Sequence, residues 1–208
     1  ELVESEQVWR VFLPHINNGG TVGQAQQGTA ANISPTDANA EWRLIRSLSF
    51  EWNHDSMYRY DCNGTLYGEQ RWGETSLIAY DGLNSMWPAR NGRNGVDPRR
   101  FTYPNHACSW LIIGPFSLER AQSAEMAFRL WNKSELYFDH IGWYVSCDER
   151  YFTGWRLSGD TGGWVVKRLD LRPCLGDSTV WVGFKFTSDY SITKKGPFVD
   201  IIEIKGYW

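Results

Sequence analysis

Short runs in which every second side chain is large and apolar fill the later part of this chain. Residues 126–130, 141–145 and 180–186 all show this alternation. A period of two predicts strands with one buried face. Glycine-rich turn signals at 158–163 and 175–177 separate such runs, and helical periodicity is nearly absent. Regularly spaced short strands of this kind predict an all-β fold, a jelly-roll-like β-sandwich.

The organisation of the chain predicts three parts. Residues 41–208 carry the strand patterns and form the predicted sandwich, and residues 17–40 are a polar, glycine- and alanine-rich stretch typical of a flexible linker. Residues 1–16 contain an apolar block that Pro14 ends. The block is apolar on both faces, so we expect an N-terminal assembly strand that docks on a protein surface through its large side chains, Trp9, Val11, Phe12 and Leu13.

The four cysteines indicate disulfides rather than a zinc site, because their number is even and no Cys-x-x-Cys pair occurs. Cys147 and Cys174 follow neighbouring late strands, and Cys62 and Cys108 flank a long irregular stretch. We therefore predict the pairs Cys62–Cys108 and Cys147–Cys174. Four cysteines allow three pairings, so the spacing alone leaves the other two open.

Three sequons, at Asn32, Asn63 and Asn132, support an extracellular protein. All three are expected to be accessible for glycosylation, with Asn32 in the linker the most accessible. The sequence begins at Glu1 without a methionine, as a mature secreted product does. The formal net charge is −3, which gives no basic surface for nucleic acid, and no apolar run is long enough to span a membrane.

Residues 55–103 are rich in glycine, asparagine, arginine and aromatic residues and show few periodic runs. They predict elaborated loops. Rings in this stretch could form a sugar-binding cleft, line a groove for an apolar strand, or build a small core of their own. The sequence does not separate these three interpretations for its candidate rings, Tyr58, Tyr60, Tyr67, Trp72 and Trp87.

Four segments resemble steps of a known pattern. They are residues 103–118 (YPNHACSWLIIGPFSL), 163–171 (GWVVKRLDL), 180–189 (VWVGFKFTSD) and 196–204 (GPFVDIIEI). The pattern is that of the accessory jelly-roll modules of immune-inhibitor-A-type metallopeptidases and the related MAM-like modules. The resemblance covers residues 41–208 and is strongest after residue 103. It implies adhesion or binding, since the peptidase signature His-Glu-x-x-His is missing.

Asp200 is the sharpest candidate ligand, because its spacing places it on the same face as Phe198, Ile202 and Ile204. A buried carboxylate needs a cation, a base or hydrogen-bond donors. The resemblance implies a structural calcium ion held by this last-strand Asp200 and by Glu51 in the first strand; a salt bridge to Lys or Arg is the alternative. Asp139 and Asp189 are weaker candidates for the same or a second ion, because each ends a strand, where an acid commonly only solvates a turn.

No set of residues supports catalysis. The four histidines lack metal-ligand spacing, and no Gly-x-Ser-x-Gly elbow occurs. We therefore expect a non-enzymatic, secreted structural protein. The N-terminal strand and the sandwich together resemble extracellular fibril subunits whose tails lie in the groove of the next copy. This organisation predicts copies of the chain itself as partners. The alternative is a carbohydrate-binding or adhesion module of a larger secreted enzyme, with glycans as partners.

Overall fold

The computed structural model describes residues 2–7, 40–51, 57–63 and 67–208. Strands dominate these residues, which confirms the predicted all-β sandwich. The eleven described strands are β1 (Leu2–Gln7), β2 (Trp42–Leu48), β3 (Met57–Asp61), β4 (Arg71–Thr75), β5 (Ser85–Asn91), β6 (Cys108–Phe116), β7 (Ser123–Lys133), β8 (His140–Ser146), β9 (Thr153–Asp170), β10 (Val180–Thr187) and β11 (Phe198–Tyr207). Within the described residues, no helix is long and apolar enough to span a bilayer.

The strands form two antiparallel sheets that share β9. The first sheet has the order β3-β6-β10-β8-β9-β1. In the second, β9 is followed by β7 and β11, and β11 pairs on its other side with both β2 and β5, while β4 pairs with β5. The large apolar side chains of the alternating runs fill the space between the sheets. Phe128, Trp143, Phe184 and Ile204 are among the buried side chains of this common core.

The strand β9 passes from one sheet to the other at the position where the sequence predicts a turn. Residues 154–159 pair with β1, whereas residues 160–170 pair with β7. Gly159, Gly162 and Gly163 adopt positive φ values of 95°, 68° and 154° there. Glycine tolerates these angles without strain, so the glycine cluster bends the strand instead of ending it.

Leu44, Leu48, Phe50 and Trp52 alternate in the sequence and predict a first core strand over residues 43–53, and this prediction is partly wrong. Leu48 and Phe50 are buried as expected, but Leu44 is 56% exposed. The register of β2 on β11 shifts between Ile204 and Lys205, which places Leu44 opposite Lys205. A bulge of this kind breaks the period of two, so Leu44, before the bulge, faces the side of the sheet opposite to the one that the alternation predicts.

The stretch 55–103 is not the series of loops predicted from its composition, since it contains β3, β4 and β5. Trp72 and Trp87 are fully buried in the common core. Their indole N–H groups donate to the carbonyl oxygens of Ser109 at 3.2 Å and Lys195 at 2.7 Å. These two rings therefore belong to the common core rather than to a small core of their own, a sugar-binding cleft or a groove. Dense turn residues concealed the strands because each spans only five to seven residues.

The first residues of the chain pair within their own domain. β1 forms the edge of the first sheet, with Leu2 opposite Gly159 and Gln7 opposite Gly154. Lys167 Nζ donates to Glu4 Oε2 at 2.7 Å. The assembly residues Trp9, Val11, Phe12 and Leu13 lie outside the described residues, so the division into 1–16, 17–40 and 41–208 stays a prediction.

Candidate binding site

Three loops meet at one end of the sandwich because of the sheet topology. β10 runs antiparallel to both β6 and β8, so Thr187 at its end lies opposite Cys108 and His140, at the beginnings of those strands. The loops that precede β6 (101–107), precede β8 (134–139) and follow β10 (188–193) are therefore neighbours. We call this group of three the loop end.

Asp139 joins the three loops from below. Its side chain is fully buried. Tyr103 Oη donates to Asp139 Oδ2 at 2.6 Å, and the backbone N–H of Asp189 donates to Oδ1 at 2.8 Å. The N–H of Glu135 donates back to Tyr103 Oη at 3.2 Å. One carboxylate thus fixes residues from all three loops.

Further hydrogen bonds hold the loops together nearer the surface. His106 N donates to Asp189 O at 2.6 Å, and Asn105 Nδ2 donates to Tyr190 O at 2.8 Å. The hydroxyl oxygens of Thr102 and Thr193 lie 2.6 Å apart. The loop end is consequently a cross-linked platform.

Backbone strain also concentrates in these loops. Of the six non-glycine residues described with positive φ, three lie here: His106 at 54°, Tyr137 at 72° and Ile192 at 35°. Bulky side chains rarely adopt such angles, and strained residues tend to cluster where a protein binds or reacts.

The surface of the loop end is unusually apolar. It presents five large, mostly exposed side chains, Phe101, Tyr137, Phe138, Tyr190 and Ile192. Phe101 and Ile192 line a shallow pocket of about 380 Å³ together with Thr102, Asn105 and Thr193. Tyr67 stacks on His106 with ring centroids 4.2 Å apart. Flat rings beside hydroxyl and amide groups can cover the apolar face of a sugar and bond its hydroxyls.

The two weaker metal candidates converge beneath this surface. Carboxylate oxygens of Asp139, Asp189 and Glu135 lie within 4.8 Å of one another. Burial raises the pKa of the carboxyls of Glu135 and Asp139, and the charge of Asp189 raises both further. Oε2 of Glu135 is buried and has no hydrogen-bond partner. An oxygen-only ligand set with an unused carboxylate oxygen fits calcium. Sequence reasoning missed Glu135, since it ends no strand and shares no motif with the other two.

The stronger candidates, Asp200 and Glu51, lie elsewhere and have other partners. Asp200 is fully buried, as expected. The register shift after it leaves it opposite Arg129, so it does not share the inner face of the second sheet with Ile202 and Ile204. Loop 76–84 covers it. Asp200 Oδ2 accepts the N–H groups of Tyr80 at 2.7 Å and Asp81 at 3.3 Å.

The same loop also binds Glu51. Glu51 Oε1 accepts the N–H groups of Leu83 and Asn84, each at 2.9 Å. Burial raises the pKa of Asp200, and the nearby Glu51 charge adds to this effect. Because backbone donors already bond these carboxylates, the pair fits the anchoring of a loop better than the binding of a cation.

The disulfides form as predicted, Cys62 with Cys108 and Cys147 with Cys174. The expectation of an accessible Asn132 is wrong. Its side chain is fully buried, and its Nδ2 donates to Gly159 O at 2.7 Å and Ser134 Oγ at 3.0 Å. The Nδ2 of Asn63 donates to His106 O. Asn32 lies outside the described residues.

Comparisons with known proteins give similarity of fold only. No protein-family model and no curated protein matches the chain. The K3 cleaved adhesin domain of Lys-gingipain from Porphyromonas gingivalis W83 has a TM-score of 0.55 at 15% identity, covering 78% of this chain and 99% of that domain. The K1 domain of the same protein has a TM-score of 0.47 at 16% identity, covering 77% and 96%.

A carbohydrate-binding neighbour is more distant. The C-terminal CBM6 of LamC, a marine laminarinase from Zobellia galactanivorans, has a TM-score of 0.38 at 13% identity, covering 71% of this chain and 98% of that one. The chain is thus similar in fold to a β-sandwich adhesin domain. The two disulfides fit an extracellular protein.

Proposed function

We propose that the chain is a secreted, non-catalytic binding module that holds carbohydrate on its loop end. The observation that carries this proposal is the exposure of Phe101, Tyr190 and Ile192 on loops that Asp139 fixes from below. Exposed rings on mobile loops would lose affinity to the cost of ordering them, whereas rings on a fixed platform avoid that cost. The similarity to an adhesin domain supports a binding role for the fold.

A titration of the protein with a panel of soluble oligosaccharides tests this proposal. At least one sugar should bind, and Tyr190→Ala and Phe101→Ala should each weaken its binding by about tenfold or more, since losing 1.4 kcal/mol raises Kd tenfold. Leu83→Ala is a matched control, because Leu83 is 73% exposed but lies on the loop that anchors to Glu51. Equal loss in all three variants, or binding to no sugar at all, would refute the proposal.

Calcium belongs to the same proposal. We place it between the carboxylates of Glu135, Asp139 and Asp189, which the ion would hold together and thereby stiffen two of the three loops. An ion bound only by the folded state raises its stability. Added calcium should then raise Tm, and a chelator should lower it.

Self-assembly into fibrils is the second candidate function. It is favoured by one observation: the edge strand β1 is built from the first residues of the chain and precedes a long connection to β2. β1 pairs in cis here, but exchange between copies would form the same ladder, and head-to-tail exchange generates filaments when it does not close. Electron microscopy over a range of protein concentrations should show filaments if exchange occurs, whereas monomers at every concentration would exclude it.

A further inference from the structure

A groove opens between the two sheets at the opposite end of the sandwich from the loop end. Its volume is about 540 Å³, within the range of about 300–1,000 Å³ typical of ligand sites. Trp143 and Trp155 contribute from the first sheet, Ala124 and Leu169 from the second, and Trp42 from β2. We call it the tryptophan groove.

The accessible apolar surface of the tryptophan groove comes from two rings, and its charges are already paired. Trp42 is 51% exposed and Trp155 is partly buried, whereas Trp143, Ala124 and Leu169 are already at most 3% exposed. At the rim, Arg168 pairs with Glu125 and Arg172 with Asp170, each at 2.7 Å. A groove with neutralised rim charges favours an apolar occupant over a charged one. The indole Nε1 of Trp143 is buried without a hydrogen-bond partner, so one groove-lining residue has an unused donor.

The path of the chain indicates which apolar segment is nearest. β1 runs toward the groove: Glu4 lines it, and Glu6 lies opposite Trp155 in the ladder. The described chain stops at Gln7 and resumes at Ala40, two residues before the groove residue Trp42. The described residues on both sides of the connection 8–39 thus lie beside the groove. Its first six residues are Val8-Trp9-Arg10-Val11-Phe12-Leu13, the most apolar part of that connection.

We propose that the segment Val8–Leu13 packs into the tryptophan groove of its own chain. The segment follows β1 directly, so binding in cis needs no long linker and benefits from a high effective concentration. A second copy would have to bring the same residues from solution. Packing in cis covers the accessible rings of Trp42 and Trp155 and extends the contact that β1 makes at the edge of the sheet.

Substitutions with a matched control test this inference. Trp9→Asp and Phe12→Asp place a charge on either face of the segment, and Asn17→Asp places the same charge just beyond it. Because burying an unpaired charge costs several kcal/mol, we expect Trp9→Asp or Phe12→Asp to lower Tm by roughly 5–10 °C in the full chain. Asn17→Asp should change Tm by less than about 1 °C. If all three variants have the same Tm as the wild type, the segment does not pack on the domain and the inference is wrong.

Photo-crosslinking identifies the occupant. Benzoylphenylalanine in place of Trp9 or Phe12 should crosslink to peptides that contain residues 123–125 or 169–172. Mixing ¹⁴N- and ¹⁵N-labelled chains separates the two sources: products of a single isotope show packing in cis, as proposed. Mixed-isotope products would show a second copy in the groove and overturn the assignment. Products at any other surface would overturn the groove itself. Neither result depends on the carbohydrate proposal, since the groove lies at the other end of the sandwich.

Discussion

The hydroxyl of Tyr103 donates a 2.6 Å hydrogen bond to the buried carboxylate of Asp139, which lies 36 residues further along the chain. This bond is the link between loop 101–107 and loop 134–139, and Asp139 extends it to loop 188–193 through the N–H of Asp189. The exposed rings of the loop end therefore rest on one buried polar network, whose members depend on each other.

Tyr103→Phe is expected to destabilise the protein by about 1–3 kcal/mol, because it leaves a buried oxygen of Asp139 without its donor. It should also weaken sugar binding without removing any surface ring. Tyr190→Phe is the matched control for the stability measurement, since the side chain of Tyr190 is 74% exposed. Chemical denaturation measures the first effect and calorimetric titration the second. A fully stable Tyr103→Phe would show that the network does not hold the loops.

The pH dependence of stability reports on Glu135. Its pKa is raised because burial and the charges of Asp189 and Asp139 disfavour the carboxylate. The folded state therefore binds this proton more tightly than the unfolded chain. The stability it contributes is present below the unfolded pKa and is lost as the pH rises through the folded pKa.

Glu135→Gln, which cannot ionise, should thus raise Tm above that of the wild type at neutral pH in chelator, and the difference should vanish near pH 4. In calcium the order should reverse, because the variant offers the ion a neutral amide oxygen in place of a carboxylate. Glu203→Gln removes an exposed carboxylate paired with Lys205 and serves as the control. Identical melting curves of Glu135→Gln and wild type in chelator and in calcium would contradict both expectations.

Both disulfides should contribute substantially to stability. They span 46 and 27 residues, for which loop-closure entropy gives roughly 4 and 3.5 kcal/mol. Two double variants test this: Cys62 and Cys108 both replaced by serine, and Cys147 and Cys174 both replaced by serine. Each should lower the free energy of unfolding by about the amount given for its disulfide. Denaturant titration of the two double variants measures it. A loss below about 1 kcal/mol in either would indicate that the unfolded state is constrained by other means.

Asn132 should carry no glycan in the folded protein, although it lies in a sequon. Its side chain is fully buried, and its amide nitrogen donates hydrogen bonds to Gly159 O and Ser134 Oγ. Asn132→Ala is expected to cost about 1–3 kcal/mol by leaving those partners unsatisfied. Peptide mapping of material from a glycosylating host checks the first point and thermal melting the second. A glycan on Asn132 in folded protein would contradict the structure.

The alternation of residues 126–130 and 180–186 predicted strands and their buried faces correctly, because a strand period depends only on nearby residues. The prediction that Asp200 shares a face with Ile202 and Ile204 failed for the same reason, although its burial and its need for donors were predicted correctly. One bulge beside Ile201, whose φ is +41°, changes which face Asp200 occupies, and nothing in the apolar pattern marks that bulge. Glu135 meets Asp189 only through the pairing of β10 with β8. Contacts between residues some fifty positions apart depend on topology, which no local pattern contains.

Glu51 distinguishes loop anchoring from ion binding at the second acidic pair. Its Oε1 accepts the N–H groups of Leu83 and Asn84. Gly82, directly before Leu83, has a φ of +66° and leaves no room for a side chain against Glu51. Glu51→Ala removes the acceptor, so it should cost about 1–3 kcal/mol and expose the amides of residues 83 and 84 to hydrogen exchange. Glu51→Gln keeps a carbonyl acceptor and should preserve most of the protection. The opposite result would be that Glu51→Gln destabilises the protein as much as Glu51→Ala, and does so only in the presence of calcium. The charge of Glu51 would then matter more than its hydrogen bonds. A calcium ion shared with Asp200 would replace loop anchoring as the explanation.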